Sequence, residues 1–406
     1  MPKCNFITGL DIGTSKIKVL VAKKETGKEN LEVLSLVQEP TFGIRKGVVI
    51  DVDEVSRAVR AAVERAKNEC GQKIDSVFVN INGSHILVAS SHGTIAVSRA
   101  DQKISEEDIS RVLQAAQTFS LPSNKEVLDV FPKEFIVDGQ RQIKDAFGMQ
   151  GTRLEVEVLI LEAFSPYVKN LTQSVLGSNN QILDVIPAPL TAARACLTPS
   201  QKELGVMILD IGAGTTSMAV FQEGDLIHAA IFPIGSSHIT NDIAIGLKTD
   251  IDVAEAIKIK YGSCLQKGGR KKEKVEASKS EEPLVFSQKK VSEIVEARVR
   301  EIFGEVQKEL KKISRQGLLP AGIVLIGGGA KLPKVSDLAK KELKLPSKVG
   351  KIYGFSDLED DPSLASVCGL VLFGADSEKE TGSPIFKSFG RGMGNTFQKI
   401  FKIFIP

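Results

Sequence analysis

Twice along the chain a short apolar run ends in an aspartate–glycine turn. Phe6-Ile7 leads to Leu10-Asp11-Ile12-Gly13-Thr14-Ser15-Lys16, and Val206-Met207-Ile208-Leu209 leads to Asp210-Ile211-Gly212-Ala213-Gly214-Thr215-Thr216. Beyond each turn the apolar positions alternate, as Ile17/Val19/Val21 and as Met218/Val220. A period of two belongs to a strand, so each unit reads as strand, tight turn, strand. A third apolar run, Gly322 to Ile326, enters Gly327-Gly328-Gly329-Ala330 and predicts a buried strand, a glycine turn and a helix from about Lys334 to Leu343. Elsewhere the spacing shifts to three and four. Val55, Ala58, Val59, Ala62, Val63 and Ala66 form one stripe of a helix from about Asp53 to Cys70. Ile294, Val295, Val299, Ile302, Phe303, Val306 and Leu310 do the same for a helix from about Val291 to Ser314. Further helices are expected near Glu106–Phe119, opened by the capping sequence Ser105-Glu106-Glu107-Asp108, near Pro166–Leu176 and near Asp252–Tyr261.

The turns carry chemistry. A tight glycine turn presents backbone N–H groups in a concave array that suits phosphate oxygens, and its hydroxyls add donors. An aspartate at its mouth can hold Mg²⁺ through water, since that ion takes hard oxygen ligands and keeps most of its hydration shell. One such turn alone is as readily a plain hairpin corner. Two of them, opening two halves of the chain, suggest jaws on one polyphosphate. Three consecutive glycines at Gly327–Gly329 would let the main chain lie against a planar base, where a Cβ would clash. The other reading of that cluster is a loop that needs positive φ.

Composition sets the frame. At 406 residues the chain suits two domains or more. Its 53 basic and 50 acidic residues balance, so no global field favours nucleic acid. Five scattered cysteines, never spaced as a metal or redox pair, read as reduced cytosolic thiols, and the four histidines form no metal constellation. Asp11, Lys16 and Lys18 interrupt the N-terminal apolar stretch, which excludes a signal peptide, and no run reaches the roughly 18 apolar residues of a spanning helix. A cytoplasmic body is expected.

The order of phosphate turn, phosphate turn and glycine cluster resembles the actin, heat-shock ATPase and sugar-kinase superfamily. Within it the chain is similar to the bacterial cell-division FtsA family over nearly its whole length. The resemblance is carried by Gly43-Ile44-Arg45-Lys46-Gly47-Val48-Val49-Ile50-Asp51, Asp138-Gly139-Gln140 and Gly148-Met149-Gln150-Gly151-Thr152-Arg153-Leu154-Glu155-Val156. It continues in Ile239-Thr240-Asn241-Asp242-Ile243-Ala244, Ala254-Glu255-Ala256-Ile257-Lys258 and Glu296-Ala297-Arg298. The resemblance implies an α/β, actin-like two-lobed ATPase fold with subdomains 1A, 1C, 2A and 2B and a C-terminal amphipathic helix. Subdomain 1A would comprise residues 1–84, 163–199 and 363–375, with 1C inserted at 85–162. Subdomain 2A would comprise 200–245 and 319–362, with 2B at 246–318 between them. It implies ATP with Mg²⁺ as cofactors, the ion held through water at Asp11 and Asp210. Gly13, Thr14, Ser15 and Lys16 would bind phosphate from one jaw, and Gly212, Ala213, Gly214, Thr215 and Thr216 from the other. Gly235 and Asp242 would complete the second jaw, where a serine follows Gly235 in place of the family's usual second glycine. Gly327, Gly328, Gly329 and Ala330 would carry the base, with Glu255 and Lys258 at the ribose. No residue stands out as a water-activating base, so slow or negligible hydrolysis is expected.

Residues 376–393 mix charged, Gly, Ser and Pro positions and read as a tether to residues 394–406. There Phe397, Ile400, Phe401 and Phe404 share one helical face, flanked by Ile403, with Lys399 and Lys402 opposite. Such a segment either docks on the body or lies in a lipid interface, and its spacer, aromatics and lysines favour anionic lipid. The family implies self-assembly into an actin-like polymer, binding of the FtsZ C-terminal tail, and recruitment of other divisome proteins at the cytoplasmic face of the inner membrane. Residues 262–290 read as a charge-rich solvated loop within 2B. The cations Arg298, Arg300, Lys308, Lys311 and Arg315 of the following helix are the candidates for holding that tail. A small-molecule kinase on the same scaffold would need a catalytic base and a sugar pocket. A PilM-like pilus adaptor would lack the amphipathic tail.

Overall fold

The computed structural model describes residues 5–25, 27–118, 122–265, 272–275 and 284–381. The amphipathic segment with Phe397, Lys399, Ile400, Phe401, Lys402, Ile403 and Phe404 lies outside the described residues, as does most of the expected tether.

Two sheets of the same design form the body. In the first, β1 (Asn5–Ile12), β2 (Lys16–Lys24) and β3 (Leu31–Pro40) run as an antiparallel meander. A small hairpin, β4 (Ile44–Arg45) and β5 (Val48–Val49), precedes helix α1 (Val52–Cys70). After it, β6 (Ser76–Ile81) returns parallel to β1. Both ends of α1 are set locally. The Asp51 carboxylate accepts from the Glu54 N–H at 2.9 Å, and Gly71 ends the helix at φ 64°. Val55, Val59, Ala62, Val63 and Ala66 are buried as the spacing predicts.

An inserted layer follows. It consists of β7 (Leu87–Ala96), α2 (Glu106–Thr118), β8 (Lys125–Val137), β9 (Gln140–Ile143) and β10 (Arg153–Phe164), the strands ordered β7-β10-β8-β9. Along β10 the residues Leu154, Val156, Val158 and Ile160 pack with α2 in a core of their own, while Leu159, Leu161 and Ala163 join the core of the first lobe. Alternate side chains thus feed two cores, which is why the strand, alternating with Glu155 and Glu157 at its start, becomes continuously apolar at Val158–Leu161.

The chain returns through α3 (Ser165–Leu176), β11 (Gln181–Pro187), α4 (Ala188–Cys196) and α5 (Pro199–Leu204). The second sheet repeats the first: β12 (Val206–Ile211), β13 (Thr216–Gln222) and β14 (Asp225–Phe232) form a meander. Helices α6 (Ser236–Leu247) and α7 (Ile251–Tyr261), a hairpin of β15 (Lys272–Val275) and β16 (Leu284–Ser287), and α8 (Gln288–Lys312) come next. Then β17 (Gly322–Ile326) adds parallel to β12, followed by α9 (Val335–Leu343), β18 (Ser347–Val349), β19 (Phe355–Ser356) and α10 (Ala365–Thr381). In β12, Val206 and Ile208 face the first core while Met207, Leu209 and Ile211 face the second. Helix α4, buried except at Arg194, belongs to the first core and touches β12 and β13, and α10 packs on it at Gly369, where an added Cβ would stand 1.8 Å from the Thr191 carbonyl oxygen. Small residues in α10 are a contact requirement.

Two segments differ from expectation. Within the charge-rich 262–290 stretch, residues 272–275 pair with 284–287, because Phe286 is buried beside Tyr261 and draws the strand inward. Helix α10 continues through 376–381, where tether was expected, and Arg194 holds Asp376 with two hydrogen bonds of 2.8 and 3.1 Å.

The start of α2 rests on a buried carboxylate. Asp108 accepts from the N–H and hydroxyl of Ser105 at 3.0 and 2.6 Å and from those of Ser98 at 3.1 and 2.8 Å. Burial alone would raise its pKa, but these donors hold it at about 2. A depressed folded pKa contributes stability above the unfolded value near 3.8 and loses it as pH falls toward 2. Asp108→Ala should therefore cost about 2–3 kcal/mol in urea melts at pH 7. The gap to the parent should narrow in melts below pH 4; a constant gap would show that the charge is irrelevant.

Candidate functional site

The two turns close in the same way and face each other. Gly13 N–H donates to the Lys16 carbonyl at 3.1 Å, and Gly212 N–H to the Thr215 carbonyl at 2.9 Å. Between them lies a cavity of about 600 Å³ lined by both turns, by Gly327–Gly329, and by Glu255 and Lys258. Asp11, Gly13, Thr14, Ser15 and Lys16 line it from the first lobe, and Asp210, Gly212, Ala213 and Thr215 from the second.

Asp11 is buried and doubly held. Its Oδ1 accepts from Asn80 Nδ2 at 2.6 Å and its Oδ2 from Lys18 Nζ at 3.0 Å. Asn80 is itself fixed by accepting from the Ile12 N–H at 2.9 Å. Lys18 also donates to the Ser363 carbonyl at 2.8 Å. Burial works against the lysine charge, yet Asp11, Asp210 and Asp361 together hold its pKa above the ordinary value. Asp210 accepts from the Ser366 hydroxyl at 3.2 Å. Its pKa is pushed up to about 6, first by burial and then by the negative charge of Asp11.

The glycine cluster divides its work. A Cβ on Gly327 would lie 2.2 Å from Asp210 Oδ1, and one on Gly329 would lie 2.3 Å from Ile211 Cγ2. These two glycines let the third turn pack on the second. Gly328 has nothing within 4 Å of its would-be Cβ and presents bare backbone to the cavity. Lys258 is buried on the opposite wall, 2.7 Å from Glu255 Oε2, and donates to Thr240 Oγ1 at 2.9 Å. Thr240 in turn donates to Glu255. Helix α6 is stitched to the second turn, since Ser236 and Ser237 N–H groups donate to the Gly212 and Ala213 carbonyls at 2.8 and 2.9 Å.

Five residues assigned to the site do not line the cavity. Asp242 turns away from it and forms a two-pronged ion pair with Arg298 at 2.6 and 2.8 Å, because α6 buries Ile239, Thr240 and Ile243 and leaves Asp242 facing α8. Thr216 is buried, its hydroxyl bonded to the Ile234 carbonyl at 2.8 Å. Ala330 is buried behind the glycines. Gly235 supports the second turn from beneath, with a would-be Cβ 2.5 Å from the Ala213 carbonyl oxygen. Gly214 meets Thr14 of the opposite jaw, 2.8 Å from its would-be Cβ. The five cations of α8 and the loop after it do not form one basic patch. Arg298 serves Asp242, Arg300 pairs with Glu296 and Glu342, Lys308 with Glu305, and Arg315 bonds the Gln222 side chain. Lys311 is exposed.

Sequence reasoning overlooked Lys18, Asn80, Asn82 and Ser366. Lys18 had a signal: it is the register partner of Asp11 across β1 and β2, on the same face, and it is charged on a face that continues as apolar Leu20 and Ala22. Asn82 donates to Thr215 Oγ1 at 3.2 Å, a direct bond between the lobes.

Two matching half-sheets around a polar cleft define an actin-like ATPase fold. MreB5 of Spiroplasma citri bound to ADP superposes with a TM-score of 0.57 at 14% identity, over 93% of this chain and 98% of that one. The PilM-PilN type IV pilus biogenesis complex gives 0.66 at 17%, over 91% and 98%. Sequence relationship goes further. The Cell division protein FtsA profile matches residues 207–369, and that of the SHS2 domain inserted in FtsA matches 83–162. Cell division protein FtsA of Pseudomonas aeruginosa is 36% identical over 92% of this chain and 90% of its own length. That of Bacillus subtilis is 35% identical over 93% and 85%. The chain belongs to the FtsA family of actin-like cell-division proteins.

Replacing Lys18 by methionine would leave buried Asp11 and half-buried Asp210 without their cation. Lys18→Met should lower stability by about 3 kcal/mol in chemical denaturation. A loss below about 1 kcal/mol would mean that water, not Lys18, compensates them.

Proposed function

We propose that this protein binds ATP with Mg²⁺ between its lobes, assembles into an actin-like polymer on the cytoplasmic face of the membrane, and anchors FtsZ filaments there. The observation that carries the nucleotide reading is the convergence of Asp11, Asp210, both glycine turns and Gly328 on one cavity. The donor set fits magnesium: two carboxylates from separate lobes offer hard oxygens, and the cavity leaves room for a hydrated ion. When bound, Mg²⁺ would neutralise phosphate charge. Asp11 and Asp210 would orient it through water. Backbone N–H groups of the turns, with Thr14, Ser15 and Thr215, would hold phosphate oxygens. Gly328 would lie under the base, with Glu255 and Lys258 at the ribose. Nucleotide that binds the closed arrangement more tightly would favour the polymer-competent state.

Membrane attachment rests on the sequence of the last residues. A short amphipathic segment binds weakly, and a polymer that presents many copies binds by avidity. No helix among the described residues is long and apolar enough to cross a membrane. For the FtsZ tail, Lys311 of α8 and Arg315 just beyond it are the two of the five cations that no described carboxylate neutralises, which makes them the first to vary.

Two experiments test these readings. Asp210→Asn should weaken Mg²⁺-dependent binding of a fluorescent ATP analogue by about tenfold or more and leave binding in EDTA nearly unchanged. Equal losses in both conditions would remove the ion from Asp210. In liposome co-sedimentation, the full chain should pellet with anionic vesicles and carry an FtsZ tail peptide with it. A chain ending at Thr381 should stay in the supernatant; if it pellets equally, the tail is not the anchor.

A further inference from the structure

We infer that the β4–β5 hairpin reads the terminal phosphate of the bound nucleotide and that Arg45 and Lys46 at its tip supply the charge. The inference rests on the nucleotide reading above and adds residues that neither turn contains.

The hairpin is built against the turns. Its register pairs Ile44 with Val49 and Arg45 with Val48, which leaves Lys46-Gly47 as a two-residue loop. Both loop residues have positive φ, 50° and 77°, the signature of a type I′ turn. The Gly47 N–H donates to Thr14 Oγ1 at 3.2 Å, and Gly47 itself lines the cavity. A Cβ there would meet Gly83 N at 3.1 Å and Thr215 Cγ2 at 3.2 Å. The tip therefore touches the first turn at Thr14 and the second at Thr215; Gly47 lines the cavity while Arg45 and Lys46 stand at its edge, where the terminal phosphate of the proposed nucleotide would lie.

Charge points the same way. Four lysines line the cavity, but Lys18 is committed to Asp11, Lys258 to Glu255 and Lys331 to Asp361. Lys16 reaches only the Gln38 amide, at 3.5 Å. A triphosphate brings more negative charge than a diphosphate, and the walls have little uncommitted cation to meet it. Arg45 and Lys46 are exposed, and neither has an ion pair or side-chain hydrogen bond among the described residues. Lys46 also stands in a left-handed position, where asparagine or glycine is less strained. Lysines take that conformation at helix ends here too, at Lys248, Lys334 and Lys344, so strain alone assigns no role. Its place beside Gly47 does.

The left-handed turn supplies a fold-safe test, because Lys46→Asn removes the charge while suiting the backbone. Affinities for fluorescent ATP and ADP analogues would be measured on the full chain, on Lys46→Asn, on Arg45→Ala with Lys46→Asn, and on Lys46→Arg. The double variant should lose about tenfold or more in triphosphate affinity and keep its diphosphate affinity within about twofold. Lys46→Arg should retain the parent preference. Parent-like triphosphate-to-diphosphate ratios in the double variant would overturn the inference and leave nucleotide binding intact. An unaltered protein that binds neither analogue would end both.

Discussion

Asp11 and Asp210 lie near the ends of strands in two different sheets and meet at one cleft, where Lys18 is the cation that offsets their charge. The upward displacement of Asp210 comes first from burial and then from the charge of Asp11, since two neighbouring carboxylates cannot both ionise freely. Lys18 bonds one carboxylate directly and acts on the other through its field. Everything else around the cleft serves to keep this arrangement fixed. Asn80 sets the Asp11 side chain, Ser366 reaches Asp210, and the Ser363 carbonyl completes the lysine's shell. A cavity with such a charge pattern has excess negative potential at one point and backbone donors on either side. It is suited to a cation bridged to phosphate.

How far this was legible in the sequence depends on the periodicity available. The hairpins and their turns were readable because period-two alternation breaks sharply at Asp-x-Gly. The stripes of α1 and α8 were readable because each helix buries only one face. The two-sided sheets were not: β12 and β10 send alternate apolar residues into different cores, so nothing in the local pattern says which face meets which partner. Most turn residues line the cavity, and they were legible for the same reason as the turns. Asp242 was misplaced because a polar residue on a helix shows no sign in sequence of whether it faces a cleft or a neighbouring arginine. Lys18 passed as an interruption of a strand, since its role depends on a cross-strand partner seven residues earlier. The cations of α8 looked like a patch in one dimension, and the helix distributes them among Asp242, Glu296, Glu342 and Glu305.

The glycines show how packing and ligand geometry become entangled. Gly327 and Gly329 are required by Asp210 and Ile211, and Gly369 by the Thr191 carbonyl, all matters of close approach within the protein. Only Gly328 offers open backbone to the cavity. A run of three glycines would suggest a flat platform, and the structure reduces it to one exposed position held in place by two packed ones. In the proposed reading, the surface that would carry the base is positioned by the same aspartate that would serve the phosphate end. Displacement at one end of a bound nucleotide would then be coupled to the other through a single turn.

That coupling bears on how nucleotide could alter assembly. The lobes already touch across the cleft, through the Asn82–Thr215 hydrogen bond and the contact of Thr14 with Gly214. A neutral hydrogen bond of this kind contributes about 1 kcal/mol net, so these contacts bias closure without enforcing it. A ligand shifts such an equilibrium only by its difference in affinity for the two arrangements. Groups that touch one lobe alone add affinity and no bias. The residues able to discriminate are those that meet the ligand from both sides at once: the two aspartates, the two turns, and the hairpin tip that contacts Thr14 and Thr215 together. Moving the population from mostly open to mostly closed takes a differential of about 5 kcal/mol, more than the direct lobe contacts supply. Under the proposed reading, contacts that bridge both lobes through polyphosphate would have to supply it, so control of the assembly state would lie at the phosphate end of the cleft rather than at the base.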